Sequence, residues 1–529
     1  MLYRITTKRI WGLLIIVLFF YDAGNAQLPV DPTGYFNLGF TQVTRTNGKS
    51  YPTDTIGWVC SSAETGTYGG WIKYQHDATG FFYVDSVDGN WFIVDPEGYE
   101  FIAKSVVSVE KGGPVILPDD LKQFSINSMG NWSDLTIRDI PVCPRYNFLQ
   151  SFKNYAPHLK ELYDQNIFPV FEPSWPVFCN SRAGSFVNEF LDNSWVIGYF
   201  TDNELAFHKV LLDDYLALDE SNANYIAARD WMIARSGEGF TVSETDREAF
   251  RGHVARAYAS AVYNALKSSD PNHMVLGSRL HASAKYNPYI LQSIGAFVDV
   301  MGINFYSRWE PSDETMDLWL EEGGKPFLIT EFYTKAKDTG LPNASGAGWE
   351  VYTQQDRAWF FENFVLQLMS HPGSVGWQWF RYIDKDGVNK GIISTDYTWY
   401  EELTSSMYKV GKDVYNLRRF LLGLDYDPAP DSGCANTISF RGPYRQACRV
   451  YPNPAGKEII IHSETGLPDD LMVSIYHVSG HLVYQHSFPG GGTEDRISIS
   501  CSEISGSRGI FFFKLEHHSG FLQEKILIL

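Results

Sequence analysis

WVIGYFTDNEL, residues 195–205, begins as a run of aromatic and β-branched residues, the composition of a buried strand, and ends abruptly in Asp202-Asn203-Glu204. Burying one ionised carboxylate is costly, and two side by side more so. A strand that delivers acids and an amide to its C-terminal end reads as a scaffold presenting chemistry to a cavity. The competing reading is an acidic cap on the next helix, since Asp and Asn are good N-caps. The rest of the chain decides between them.

Apolar strand segments recur on either side: Phe101–Val109, Ser125–Met129, Phe168–Phe171, Trp195–Phe200, Met274–Leu276, Val298–Ile303, Pro326–Ile329 and Ser374–Trp379. Helical patterns separate several of them. Phe250, Val254, Tyr258, Ala261 and Ala265 repeat at helical spacing over Arg247–Lys267, with Asp246 and Glu248 at the start and Asp270-Pro271 after the end. A second helix is expected from about Thr353 to Leu368, stopping before His371-Pro372-Gly373. Eight strands alternating with helices is the count of a (β/α)8 TIM barrel, an α/β fold. An open doubly wound sheet competes, but no glycine-rich phosphate loop follows the first strand.

Barrels of this kind carry chemistry at the C-terminal strand ends. Those ends hold Ser108 and Glu110; Asn131, Trp132 and Asp134; Glu172 and Trp175; Asp202, Asn203 and Glu204; Arg279 and His281; Asn304, Tyr306 and Arg308; Glu331 and Tyr333; and Trp379, Arg381 and Asp384. Polar groups and Trp crowd every end, where unselected ends would show Gly, Ser and Pro. That enrichment favours a catalytic barrel over a capped helix.

At 529 residues the chain is long enough for one large domain plus extras. Hydrophobic content of 44% and charged content of 20% mark a globular protein. The formal net charge of −19 argues against nucleic acid or an anionic membrane as partner. Aromatic content is 15%, and sugar faces stack on such rings, although large cores consume them too. Arg4, Lys8 and Arg9 precede an apolar run from Trp11 to Tyr21, and Gly24-Asn25-Ala26 offers small residues for cleavage, so residues 1–26 read as a signal peptide. No membrane span is expected once it is removed. Six cysteines show no CxxC spacing, and Cys143 with Cys179, or Cys434 with Cys448, are possible bridges in an exported chain. The histidines contain no HExxH, and no metal or cofactor is required by any motif.

Residues 27–98 read as a β segment packed on the barrel, including a hairpin between Gly80–Val84 and Trp91–Val94 whose connection contains Asp88-Gly89. The barrel is expected over residues 99–424. Asp425–Gly433 opens a Pro- and Asp-rich linker, placed at residues 425–447. Residues 448–529 then read as a small β-sandwich of short alternating strands: Glu458–His462, Met472–Tyr476, His481–Tyr484, Arg496–Ser500, Ile510–Leu515 and Glu524–Leu529.

Glu204 and Glu331 stand at the fourth and seventh strand ends. In an eight-fold ring, three steps apart is nearly across the mouth, where two carboxylates can flank a bound sugar. Glycoside hydrolysis needs one carboxyl to protonate the leaving oxygen and another to attack the anomeric carbon. Asn203-Glu204 and Glu331 in this placement resemble the large clan A of retaining (β/α)8 glycosidases. Within it, the chain resembles agarase-type β-galactan hydrolases. The likeness spans about residues 79–415. It rests on Thr79–Phe82 with Asp88–Gly98, Gly130–Asp134, Gly198–Leu205, Asn304 and Tyr306, Gly346–Trp349 through Arg357, Gly376–Phe380, and Asn389-Lys390-Gly391.

That resemblance implies Glu204 as acid/base and Glu331 as nucleophile. It implies Asn203 as a contact of the sugar 2-hydroxyl, Tyr306 as a contact of the nucleophile, and Trp379 as the floor of the cleaved-sugar subsite. Asn131, Trp132, His281 and Asn304 complete the expected substrate-binding set. Agarase-like chains often read Gly-Glu-Phe-His at strand seven where this one has Thr330-Glu331-Phe332-Tyr333, a departure that bears on substrate identity. Arg279, His281, Arg308 and Arg381 are expected to pair with nearby acids rather than to read sulfate. The C-terminal segment resembles the sorting domain of the type IX secretion system of Bacteroidetes, through Tyr451–Pro454, Ile475-Tyr476, Ser479-Gly480, Gly509–Phe511 and Lys525–Leu527. The expectation is a secreted or surface-attached enzyme on a polysaccharide, probed by the secretion machinery through its tail. A β-glucan or mannan hydrolase and a non-catalytic glycan-binding protein remain the alternatives.

Overall fold

The computed structural model describes residues 36–46, 48–57, 64–113, 117–306 and 308–424, and beyond them 437–439, 447–451, 458–463, 471–477, 482–488, 496–504, 509–517 and 520–528. The expected signal peptide and nearly all of the expected linker lie outside these residues. The chain is mixed α/β, as its alternating patterns predict.

An N-terminal hairpin, β1 (Phe36–Thr44) and β2 (Ser50–Gly57), precedes a four-stranded antiparallel sheet. That sheet comprises β3 (Trp71–Gln75), β4 (Tyr83–Val87), β5 (Asn90–Val94) and β6 (Tyr99–Phe101), in the order β3-β6-β5-β4. The expected hairpin is tighter than its apolar runs suggested. β4 and β5 pair up to Val87 and Asn90, and Asp88 (φ 51°) with Gly89 (φ 80°) makes the whole turn. Both positive angles suit the right-handed twist of the flanking strands.

Parallel strands follow: β7 (Ala103–Val106), β8 (Ser128–Met129), β9 (Gly198–Phe200), β10 (Met274–Gly277), β11 (Met301–Asn304) and β12 (Phe327–Phe332). After the short pair β13 (Thr334–Ala336) and β14 (Trp349–Val351) comes β15 (Ser374–Trp379). A five-stranded sheet runs β11-β12-β15-β7-β8, and β9 pairs with β10. Single parallel bridges continue these ladders: Met129 with Val142, Val142 with Val196, Arg145 with Phe200, and Leu280 with Ile303.

The strand sequences explain this arrangement. Side chains alternate between two faces of a strand, and parallel strands covered on both faces are apolar throughout. Ile197, Phe200, Leu276, Leu328 and Val375 join one buried cluster, while Val196, Tyr199, Val275, Ile329 and Trp377 join the other. Ile93 and Phe101 of the N-terminal sheet, with Phe82 just before β4, enter the first cluster. The helices begin where the caps say. Helix Glu244–Ser269 opens on a capping box of Ser243 and Asp246, and helix Gln354–Met369 on one of Thr353 and Asp356.

One strand expectation fails. Phe168–Phe171 is not a strand; Phe168 and Val170 are buried in the core, and Tyr215 donates its hydroxyl proton to the Phe168 carbonyl. The neighbouring place is taken by Pro141-Val142-Cys143-Pro144-Arg145. Its two prolines lack N–H donors, so pairing there is reduced to isolated bridges and the sequence carries no strand signature. Cys143 and Cys179 are separate buried thiols, not a disulfide: Cys143 lies in the cluster around Phe200, and Cys179 in helix Ser174–Val187 against the other.

The last helix of this region, Glu401–Leu421, is tied to the N-terminal sheet by buried charge. Arg419 Nη1 donates to both carboxylate oxygens of Glu100 (2.7 and 3.0 Å) and stacks on Tyr74. Beyond it lie two four-stranded antiparallel sheets. One comprises β16 (Thr437–Ser439), β17 (Ala447–Tyr451), β18 (Glu458–Ser463) and β21 (Arg496–Ser500); the other comprises β19 (Leu471–His477), β20 (Leu482–Phe488), β22 (Gly509–His517) and β23 (Gly520–Ile528). Ile459, Ile461, Val473, Ile475, Ile497 and Ile499, drawn from both, form one buried cluster. β16 falls within the span expected to be linker.

Candidate active site

Four successive strand ends carry a non-glycine residue in the left-handed region: Ser108 (φ 57°) after β7, Trp132 (59°) after β8, Glu204 (51°) after β9 and Arg279 (57°) after β10. Such conformations cost of order 1–3 kcal/mol each and cluster at functional sites. Here they turn the chain sharply at the ends where the polar residues gather.

Glu331 lies within β12, paired in register with Asn304 of β11. It is 5% exposed, yet both oxygens are occupied. Arg279 Nη2 donates to Oε1 at 2.6 Å, and the Tyr306 hydroxyl donates to Oε2 at 2.7 Å. Arg279 is itself fully buried; Nη1 donates to Asn203 Oδ1 (2.8 Å), and Nη2 also reaches the Thr330 carbonyl (2.9 Å). Burial pushes the Glu331 carboxyl above its ordinary range. The Arg279 charge opposes that shift, the nearby Glu204 adds to it, and the Tyr306 hydrogen bond opposes it again.

Glu204 is the open partner, its side chain 31% exposed. Asn304 Nδ2 donates to Glu204 Oε1 at 2.7 Å, and Asn304 Oδ1 accepts from the Thr330 hydroxyl at 2.7 Å. Thr330, Asn304 and Glu204 are thus one chain of hydrogen bonds across three strand ends. His281 Nε2 stands 3.9 Å from Glu204 Oε1. Burial lowers the His281 imidazole, with Glu204 opposing. Burial likewise brings the Lys285 amine down to about 8, again opposed by Glu204. The arrangement offers a clamped, buried carboxylate beside a half-open one, which is what a nucleophile and a proton donor require.

The other expected residues divide. Asn203, Asn304, Tyr306 and His281 all touch this network. Trp132 is 38% exposed, with Arg279 and Arg145 stacked 4.5 and 4.7 Å from its ring. Asn131 is fully buried, and its Oδ1 accepts from the Trp132 backbone N–H, so it shapes the turn that carries Trp132.

Trp379 does not offer a sugar floor. It is fully buried against Phe332, Phe360 and Phe361, and its indole N–H goes to the Lys390 carbonyl. The alternation of a strand puts the next side chain on the opposite face. Phe380 is half-buried and lies between Trp132 (6.1 Å) and Tyr333 (5.7 Å). Glu172 and Trp175 also stay away: Glu172 accepts from Asn224, and Trp175 is buried beside Phe152. Arg145 stands at that strand end instead.

Asp202 has a structural role. Its fully buried carboxylate accepts from the backbone N–H of Leu149 (3.1 Å) and Gln150 (3.4 Å) at the start of helix Phe148–Phe152, and from the Tyr258 hydroxyl (2.8 Å). Burial pushes its carboxyl up to about 7, against those hydrogen bonds. Tyr333, where the strand-seven motif departs from the family, is buried beneath the following loop. A Cβ at Gly348 would sit 2.4 Å from its ring, so the Gly-Ala-Gly run is what lets the loop close over it. Of the arginines expected to pair with acids, Arg279 does; Arg308 and Arg381 form no ion pair among the described residues.

Comparison with known proteins decides the family. The crystal structure of BpGH50 shares 30% sequence identity with the chain, covering 73% of this chain and 96% of that one at a TM-score of 0.65. The chain belongs to the GH50 glycoside hydrolases. A second solved structure of similar fold is that of an exo-beta-agarase, 18% identical, with a TM-score of 0.56 over 68% of this chain and 69% of that one. The Beta-agarase B of Vibrio sp. (strain JT0107) is 25% identical over 66% of this chain and 50% of its own length. The chain therefore spans about half of that curated relative. Residues 449–529 match the family described as "Secretion system C-terminal sorting domain". This GH50 chain is thus a secreted or surface-attached protein. Among its described residues no helix is long and apolar enough to cross a membrane, and no group of three or more His, Cys, Asp or Glu is placed to hold a metal ion.

Proposed function

We propose that this chain is an exported retaining β-glycosidase that hydrolyses an agarose- or porphyran-type galactan. One observation carries the reading: a buried carboxylate, Glu331, clamped by Arg279 and Tyr306, shares the strand ends with the half-exposed Glu204. In the first step Glu331 attacks the anomeric carbon, the glycosidic bond breaks, and Glu204 gives its proton to the departing oxygen. In the second, Glu204 takes a proton from water, whose oxygen displaces Glu331 from the anomeric carbon. Asn203, held by Arg279, faces the sugar 2-hydroxyl, and Trp132 and Phe380 supply apolar surface to the ring. The names of the Vibrio relative and of the exo-beta-agarase favour a galactan over β-glucan or mannan.

The same proposal takes the parallel strands as a (β/α)8 barrel over residues 99–424, supported by the bridges at Val142 and Leu280 that continue the two ladders. It takes the C-terminal sheets as a sandwich read by type IX secretion machinery in a Bacteroidetes host, supported by their shared apolar cluster and the family match. Residues 1–26 are the export signal, supported by their basic start and apolar run.

The test is mass spectrometry of products from agarose, porphyran, β-glucan and mannan. Wild type releases oligosaccharides from the galactans, and Glu204→Gln releases them about 10²–10⁴-fold more slowly. Release from glucan or mannan but not galactan overturns the substrate assignment; binding without release from any polymer overturns the enzyme.

A further inference from the structure

A second site lies at the opposite end of the parallel strands. A cavity of about 330 Å³ is bordered by Lys104 near the start of β7, Asn127 just before β8, Pro141 just before the Val142 bridge, and Trp195 just before that of Val196. Glu204 and Glu331 are at the other ends of these strands, so the cavity is remote from them.

Its lining is unusual for this chain. Acids outnumber bases, 62 to 43, yet among the described residues no Asp or Glu lines the cavity, while Lys104, Lys122 and Lys412 do. Lys104 is 7% exposed. Its Nζ donates to the Gly411 carbonyl (2.8 Å) and lies 5.3 Å over the Tyr415 ring, and it forms no ion pair among the described residues. A buried ammonium without a counter-charge is costly, and an anion entering the cavity would supply one. Burial brings its amine down to about 7. Aromatic faces complete the wall: Tyr68 and Trp195 pack at 4.6 Å, and Tyr408 is 45% exposed. Aromatic rings take the apolar face of a pyranose; lysines take a sulfate or carboxylate.

We propose that this cavity is a non-catalytic subsite for a charged sugar unit, one bearing a sulfate or carboxylate group, that holds polysaccharide away from the active site. Calorimetric titration of the full chain, followed also by Trp195 fluorescence, tests it with four probes: a sulfated galactose disaccharide, a uronate disaccharide, a neutral galactose disaccharide and inorganic sulfate. At least one charged disaccharide is expected to bind tenfold or more tightly than the neutral one and than sulfate. Lys122→Glu with Lys412→Glu, and separately Tyr408→Ala, are expected to weaken it at least tenfold while hydrolysis of a neutral oligosaccharide is unchanged. Lys122 and Tyr408 are exposed and Lys412 is half-buried, so the test does not depend on tolerance of Lys104→Met. Equal binding of the neutral disaccharide, equal binding of sulfate alone, or indifference to all three substitutions overturns the assignment.

Discussion

Glu331→Gln is expected to lower kcat on galactan by on the order of 10⁴-fold or more, because the attacking group is gone and nothing nearby replaces it. The change is close to isosteric. With its oxygen toward Arg279, the amide can still accept there while its NH2 donates to the Tyr306 hydroxyl, so the hydrogen bonds can be kept and the ion pair with Arg279 is what is lost. Folding is retained, and steady-state kinetics with a circular-dichroism check separates the two effects. Near-wild-type turnover would place the nucleophile elsewhere. Glu204→Gln should behave differently. A general acid contributes about 10²–10⁴-fold, and less for a substrate whose leaving group needs no proton.

Arg279→Met is expected to change the pH profile as well as the rate. Burial is the largest influence on Glu331 and raises its pKa; the Arg279 charge is the largest influence that lowers it. Glu331 works as the anion, so activity is lost as pH falls through its pKa. Removing the opposing charge raises that pKa, and the acidic limb of kcat/KM moves to higher pH. At a fixed pH between the old limb and the new one, activity falls because less Glu331 is ionised. Tyr306→Phe removes a weaker influence and should move the limb the same way by less. An acidic limb unmoved by Arg279→Met would show that Glu331 does not govern it.

Much of this site is legible in the residues themselves. Phe327–Phe332 is apolar enough to be a core strand, so its one carboxylate has to be either functional or paired, and Glu331 is placed to be both. The helix boundaries at Ser243 and Thr353 follow from caps that act locally and do not depend on the fold. The third strand position was hidden because Pro141 and Pro144 remove the donors that make a strand recognisable, while Phe168–Phe171 carries the right apolar residues for a segment that helices bury instead. Trp379 is the sugar floor that the family resemblance implies, and a Trp face suits a pyranose. Only the alternation of β15, which turns Trp379 toward Phe360 and Phe361, hands the open side to Phe380. Asp202 shows a similar limit: its partners Leu149, Gln150 and Tyr258 are more than fifty residues away in sequence, and no local pattern announces them.

The pairing of Glu204 with Glu331 as proton donor and nucleophile makes one stereochemical demand. Two displacements at the anomeric carbon return it to its starting configuration. Proton NMR of the first sugars released from a β-linked galactan, recorded before mutarotation, reads this directly. The β-anomer appearing first, with the α-anomer growing in later, is the predicted result; the α-anomer appearing first would contradict it.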